Sequence, residues 1–144
     1  MIDDRDHYRR CDFPDDRAAM RRLFADEHEL SSYADDVLDA PDLVAWVALA
    51  GQEIVGAILT RPMRTEDGGE LGGVDELLVS AHHQGQGIGR RLMELAETHY
   101  RAAGAAGMQL TVNEDNSPAR RIYESMGYAI VQHRLRMRKR FPER

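Results

Sequence analysis

Cysteine and lysine are almost missing from this sequence: one of each, Cys11 and Lys139, among 144 residues. A lone thiol excludes an internal disulfide and any multi-cysteine metal site. Aromatic residues are scarce at 6%, and the longest apolar run is Leu43–Ala50, far short of the ~20 residues a membrane-spanning helix needs. The acidic start, Met-Ile-Asp-Asp-Arg-Asp, lacks the apolar core of a signal peptide. Excess positive charge is missing too. The formal net charge is −6, so the basic footprint of a nucleic-acid binder is absent. These absences lead us to expect a soluble, cytoplasmic protein with neither membrane nor nucleic acid as partner.

What is present is a globular balance, 42% hydrophobic and 31% charged, at a length typical of one domain. No repeat or low-complexity linker interrupts it, so residues 1–144 read as a single domain. The charge is unevenly placed, with net −9 over residues 1–73 and net +3 over 74–144.

The order of elements is mixed α/β. His7–Phe13 reads as a strand, and Asp15–Glu29 as a helix that Asp15 or Asp16 caps. Ser31–Leu38 is a second helix, stopped by Pro41. Leu43–Ala50 and Ile54–Arg61 flank Gly51-Gln52-Glu53 as a hairpin. Four glycines within 63–73 predict an exposed loop, and Val74–Val79 a fourth strand. Ile88, Leu92, Leu95, Ala96, His99 and Ala103 then recur at helical spacing. Met108–Val112 reads as a short strand. Ser117-Pro118 opens a last helix whose face carries Ala119, Ile122, Tyr123 and Met126, and Gly127 closes it. Tyr128–Arg138 alternates as a final strand or a tight hairpin.

Between the fourth strand and the following helix lies Gln84-Gly85-Gln86-Gly87-Ile88-Gly89-Arg90. Glycines there let a ligand approach the backbone, and the first amides of a helix are unpaired and positive, a natural phosphate site. An ordinary left-handed turn between two elements explains the same glycines. The Walker pattern fails for want of a lysine, and the dinucleotide pattern G-x-G-x-x-G fails at Arg90 and Leu92.

Gln84-x-x-Gly87-x-Gly89 after Val74-Asp75-Glu76-Leu77-Leu78-Val79 resembles the acyl-CoA loop of the GCN5-related N-acetyltransferases (GNAT). The stretch Leu110-x-Val112-x-x-x-Asn116-x-x-Ala119-x-x-x-Tyr123-Glu124-x-x-Gly127-Tyr128 resembles that family's second signature. The likeness is tight from Val74 to Tyr128 and topological before it. It implies a twisted mixed sheet of six to seven strands flanked by about four helices, with acetyl-CoA as the acyl-donor cosubstrate. The implied reaction is direct transfer of acetyl to a primary amine, on a small molecule or a peptide, in a ternary complex.

Carried over residue by residue, the resemblance implies that the amides of Gly85, Gln86, Gly87, Ile88 and Gly89 bind the CoA pyrophosphate, with Gln84 and Arg90 at the rim. The pantetheine arm would pair with the main chain of Leu77, Leu78 and Val79 as an added strand. Asn116 would touch pantetheine, cap the last helix, or both. Tyr123 would protonate the departing thiolate; packing on an apolar helix face is its plain structural alternative. Asp75 and Glu76 are the candidate bases for the ammonium acceptor, and a solvated or salt-bridged carboxylate is the competing reading of each. Thr111 stands where some relatives place a glutamate.

His82-His83 reads as loop surface, not as a metal site. His28 and His133 are isolated, and Cys11 reads as a small buried residue. The acidic stretch Asp26-Glu27-His28-Glu29, with Asp35, Asp36, Asp39 and Asp42, suits a cationic acceptor or is simply a solvated face. Tyr128–Phe141 is short for the two strands many relatives carry, which leaves a tight hairpin or one long strand that pairs across a homodimer. A non-catalytic acyl-CoA-binding sensor or interaction module is the alternative to an enzyme.

Overall fold

In the computed structural model, which describes residues 7–27 and 31–143, the apolar runs form a five-stranded sheet with its strands in chain order. The elements are β1 (Tyr8–Arg10), α1 (Arg17–Glu27), α2 (Ser31–Leu38), β2 (Val44–Ala50), β3 (Glu53–Arg64), β4 (Glu70–Val79), α3 (Ile88–Ala102), β5 (Gly107–Gln109) and α4 (Ser117–Ser125), with one 3-10 turn at Ala81–His83. The chain divides into two compact units, Met1–Thr111 and Val112–Arg144.

In the first unit β1 to β4 are antiparallel. β5 runs parallel to β4, as a strand reached through a crossover helix must. The middle strands are apolar almost without a break because both sheet faces are covered. On one face Ala45, Val47, Ala57, Leu59 and Leu78 meet Met20, Leu23 and Phe24 of α1 and Ala34, Val37 and Leu38 of α2. The other face receives α3 through Ile88, Leu92, Met93, Ala96 and Tyr100. Two strand glycines make that approach possible. A Cβ on Gly56 would lie 2.9 Å from Ile88 Cγ2, and one on Gly72 would lie 2.5 Å from the Tyr100 ring.

Several expectations need correction. Among the described residues the sheet has five strands, not six to seven. The segment 128–138 alternates as a strand does, but no ladder forms there among the described residues; alternation supplies faces, and a strand also needs a neighbour for its backbone bonds. The expected loop over 63–73 is mostly strand, since β3 runs to Arg64 and β4 starts at Glu70. Only Thr65–Gly69 turns, with Gly68 at φ +87°. Gly72 and Gly73 belong to β4 because packing demands small residues there. On α3, Met93 and Tyr100 are buried while Ala103 is exposed. The carboxylate of Asp16 accepts from the Asp12 N–H and from Arg9, groups that precede α1, and not from the helix amides. His28 and Glu29 lie outside the described residues.

In the second unit Asn116 Oδ1 accepts from the Ala119 N–H at 3.3 Å, and Pro118 sits in the first turn of α4. The helix closes at Gly127, φ +95°. The Tyr128 N–H bonds Tyr123 O and the Gly127 N–H bonds Glu124 O, the paired bonds of a Schellman motif.

Candidate functional site

The glycine loop takes a defined shape. The chain leaves β4, makes the 3-10 turn, and enters α3 through Gly85 at φ +80° and Gly87 at φ +81°. Both are left-handed conformations that side chains resist. Gly87 is the N-cap, with no side chain bonding the helix amides. The first intrahelical bond runs from the Arg91 N–H to Gly87 O, so the amides of Ile88 and Gly89 precede it and carry the positive end of the helix dipole. Nothing lies within 4 Å of where a Cβ on Gly85 or Gly87 would stand. The mouth of a 15-residue helix is thus open and uncapped, a fit for an anionic diphosphate.

Gln84 Nε2 donates to Val79 O at 3.2 Å, tying the loop to the end of β4. Arg90 is half-exposed, with its Nε 4.0 Å from Glu94 one turn along. Leu77 and Val79 face the first turn of α3, with methyl carbons 3.5 and 3.9 Å from a Cβ placed on Gly89. Leu78 points oppositely, into the core shared with α1 and α2. Their side chains are therefore packing residues.

The main chain of β4 differs on its two sides. Toward β3 it pairs along its length, broken by one bulge: Leu59 faces Glu76 and Thr60 faces Val74, leaving Asp75 as the extra residue. Toward β5 it pairs only through Leu71–Gly73. From Val74 to Val79, β4 has no strand on that side among the described residues.

Where β4 and β5 part lies a cleft of about 220 Å³, lined by Asp42, Arg61, Asp75 and Thr111 among others. The bulge places Asp75 here, and both its oxygens receive Arg61, Nε at 2.7 Å and Nη2 at 3.0 Å. Glu76 does not line the cleft; its register opposite Leu59 puts it on the α1–α2 face. The two candidate bases are thereby separated. Arg61 at the cleft was not picked out from the sequence, because a bulge has no spacing signal.

Other groups of the first unit have structural employment. The Thr60 hydroxyl donates to Val44 O at 2.6 Å and lies 2.8 Å from the Tyr100 hydroxyl. Burial pushes the Tyr100 phenol above its ordinary range. The His99 ring meets Trp46 edge-on at 5.3 Å, and burial lowers its pKa. Cys11 donates to Met20 Sδ at 3.2 Å, and burial first, then the Asp16 charge, pushes its thiol up to about 12. Asp35 pairs with Arg17 and Arg21, and Asp39 with Arg17. Asp35 and Asp39 of the acidic stretch are thus paired within the fold.

In the second unit Asn116 acts as the cap of α4. Tyr123 is half-buried, with its ring 6.0 Å from that of Tyr128, the side-chain contact that accompanies a Schellman closure. His82 and His83 lie on the 3-10 turn, where His83 Nδ1 is 3.5 Å from Ser80 Oγ. No group of three metal-binding side chains occurs among the described residues, and no described helix is long and apolar enough to cross a membrane.

The chain is similar to several known proteins. The sequence profile described as "Acetyltransferase (GNAT) family" matches residues 5–128. The chain is 34% identical over 97 residues to an aminoalkylphosphonate N-acetyltransferase of Salmonella typhimurium, covering 67% of this chain and 62% of that one. It is 32% identical over 99 residues to the mycothiol acetyltransferase of Corynebacterium glutamicum, covering 69% of this chain and 32% of that one. It therefore spans less than two thirds of either relative. Among solved structures, an aminoglycoside N-acetyltransferase in complex with CoA superposes with a TM-score of 0.77 at 14% identity, over 93% of this chain and 99% of that one.

Proposed function

The chain belongs to the acetyltransferase (GNAT) family, and from that premise we propose that it transfers an acetyl group from acetyl-CoA directly to a primary amine, within a ternary complex. The observation that carries the proposal is the open, uncapped N-terminus of α3, entered through two left-handed glycines. In this reading the amides of residues 85–89 hold the diphosphate, with Gln84 and Arg90 at the rim. The unpaired side of β4 at Leu77–Val79 takes the two pantetheine amides, which need partners once they leave water. The family profile runs across both compact units, which supports one catalytic domain over residues 1–144.

On the acceptor side we assign the cleft beside Asp75. An amine with pKa near ~10 arrives as an ammonium and must lose a proton before it attacks. Asp42 and Asp75 against Arg61 leave the charged lining net negative, which favours a cationic acceptor. Asp75 is the better placed of the two carboxylates. Held by Arg61, it orients and stabilises the ammonium while water carries the proton; Glu76 is the alternative base. Tyr123, at its place in the second signature, protonates the thiolate. That transfer runs uphill from a phenol near ~10 to a thiol near ~8.5 unless the site retunes it. Asn116 stays a cap whether or not it touches pantetheine.

A second reading, a non-catalytic acyl-CoA-binding module, is favoured by one observation: Asn116 and Tyr123 both have structural work in closing the two ends of α4. An acetyl-transfer assay over neutral and cationic amines decides between them. Under the enzyme reading, Tyr123→Phe lowers turnover by ~10²-fold with CoA affinity unchanged, and Asp75→Asn weakens cationic acceptors more than Glu76→Gln does. CoA binding with no transfer to any amine supports the module, and no CoA binding at all defeats both readings.

A further inference from the structure

Thr60 carries a hydroxyl where the sheet has room only for an apolar side chain. It follows Ala57, Ile58 and Leu59 in β3 and, like them, is fully buried. A buried polar residue calls for an explanation that a buried apolar one does not, and valine would fill the same space. Position supplies the explanation. Thr60 stands opposite Val44 in β2 and opposite Val74 in β4. Each charged residue of the cleft lies one or two positions from this row: Arg61 follows Thr60, Asp75 follows Val74 as the extra residue of the bulge, and Asp42 precedes Val44 by two.

The hydroxyl binds this row to the helix behind it. Thr60 gives its one proton to Val44 O at 2.6 Å, so in the 2.8 Å contact with Tyr100 the phenol is the donor. The bonds therefore run one way, from Tyr100 Oη through Thr60 Oγ1 to Val44 O, in a buried setting where such chains strengthen. The far end is rigid: the Tyr100 ring fills the space over Gly72 and meets the His99 ring edge-on at 4.9 Å. At the near end Asp42 sits in a turn closed by the Leu43 N–H on Ala40 O at 3.2 Å, and the bond to Val44 O fixes where that turn is held. Burial raises the Tyr100 phenol, the Thr60 bond opposes the rise, and the charges of Asp42 and Asp75 add to it, so both carboxylates are felt along the chain.

We propose that Thr60 and Tyr100 are positioning residues of the acceptor cleft, their hydroxyl chain fixing Asp42 and the Arg61–Asp75 pair in the arrangement that favours a cationic amine. The proposal rests on the assignment of that cleft to the acceptor. Neither hydroxyl touches the reacting atoms; both act through the carboxylates alongside.

Steady-state transfer to an alkylamine, protonated at pH 7, and to an aromatic amine, neutral there, tests it. Thr60→Val should raise the alkylamine KM ~10-fold through misplacement of the carboxylates, leaving the aromatic-amine KM and the CoA affinity near wild type. Thr60→Ser, which keeps the hydroxyl, should restore the alkylamine KM. Thr60→Val also lowers the melting temperature, since it strips two buried groups of their partner. Thr60→Val/Tyr100→Phe should regain part of that stability, because removing both ends of a bond is milder than removing one, and should still show the raised KM, because Val44 O is untied. The Arg61 Nε–H resonance, assigned by its loss in Arg61→Lys, gives a reading free of turnover: its exchange with water should quicken ~10-fold in Thr60→Val and recover in Thr60→Ser. Wild-type KM and exchange in Thr60→Val, no recovery in Thr60→Ser, or a KM that recovers with the melting temperature in the double variant overturns the proposal. Asp75→Asn separates the two levels. If it raises the alkylamine KM and Thr60→Val does not, the positioning role alone fails; if it leaves that KM unchanged, the acceptor assignment fails and takes the role with it.

Discussion

Gly56→Ala tests the packing on which the phosphate loop depends. The added methyl would sit 2.9 Å from Ile88 Cγ2, 3.3 Å from Leu78 O and 3.4 Å from Leu92 Cδ1. The carbonyl is fixed by the sheet, and Ile88 and Leu92 are 2% and 0% exposed, so neither side chain has room to swing away. Relief must come from lifting the first turn of α3 by a few tenths of an ångström. Overpacking of this kind costs ~1–3 kcal/mol, about 3–10 °C of melting temperature for a chain of this size. Ile88 is also the first residue of the helix whose amides we assign to the diphosphate, so CoA affinity should fall beyond what unfolding explains. Gly107→Ala is the control. Its Cβ would meet only Leu71 Cδ2, at 3.6 Å, an ordinary contact, and its melting point should stay within about 2 °C of wild type. Thermal melts with calorimetric titration of CoA read both effects. A Gly56→Ala protein that melts and binds as the wild type does would show that α3 is not seated on β3 as described.

Three further outcomes follow from particular groups. Gly87→Ala puts a side chain at φ +81°, costing ~1–2 kcal/mol, and should weaken CoA several-fold even though the site itself has room for the methyl; equal affinity in titration would reject the loop geometry. The Arg9 guanidinium holds the Asp16 carboxyl below the usual carboxylate range. Its stabilisation is therefore full above the unfolded value near ~3.9 and lost as pH falls through the folded value. Arg9→Met should cost ~1–2 kcal/mol at pH 7, with a penalty that shrinks as the carboxyl is protonated in acid, read from melts across pH; a penalty that grows toward acid would reverse the assignment. Cys11, pushed up to about 12, should react with iodoacetamide at pH 8 at least ~10²-fold more slowly in the folded protein than in urea, since the thiolate is the nucleophile; equal rates would mean the thiol is not shielded.

What the sequence makes legible follows from which signals are local. The hairpin at Gly51 and the helix openings at Gly87 and Ser117-Pro118 are written in adjacent residues, and each is found where those residues point. The glycines of 63–73 mislead because glycine marks both turns and close approach. Gly68 turns the chain, whereas Gly72 admits the ring of Tyr100, 28 positions later in the chain. Tyr100 itself escapes notice because its hydroxyl is satisfied by Thr60, a partner no helical period reveals.

The same distinction separates the two carboxylates of β4. Strict alternation places Asp75 and Glu76 on opposite faces but does not say which meets the cleft. The bulge at Asp75 decides it, and a bulge exists only relative to the strand alongside. Arg61 lies on that neighbouring strand and takes both Asp75 oxygens. With both oxygens engaged by that guanidinium, Asp75 acts in the proposed reaction through field and orientation. In the proposed reaction water carries the ammonium proton, so solvent access at the cleft matters. A cleft of about 220 Å³ has room for water beside a slender amine and little beside a bulky one, which makes the size of the acceptor, as much as its charge, the quantity an amine series should vary.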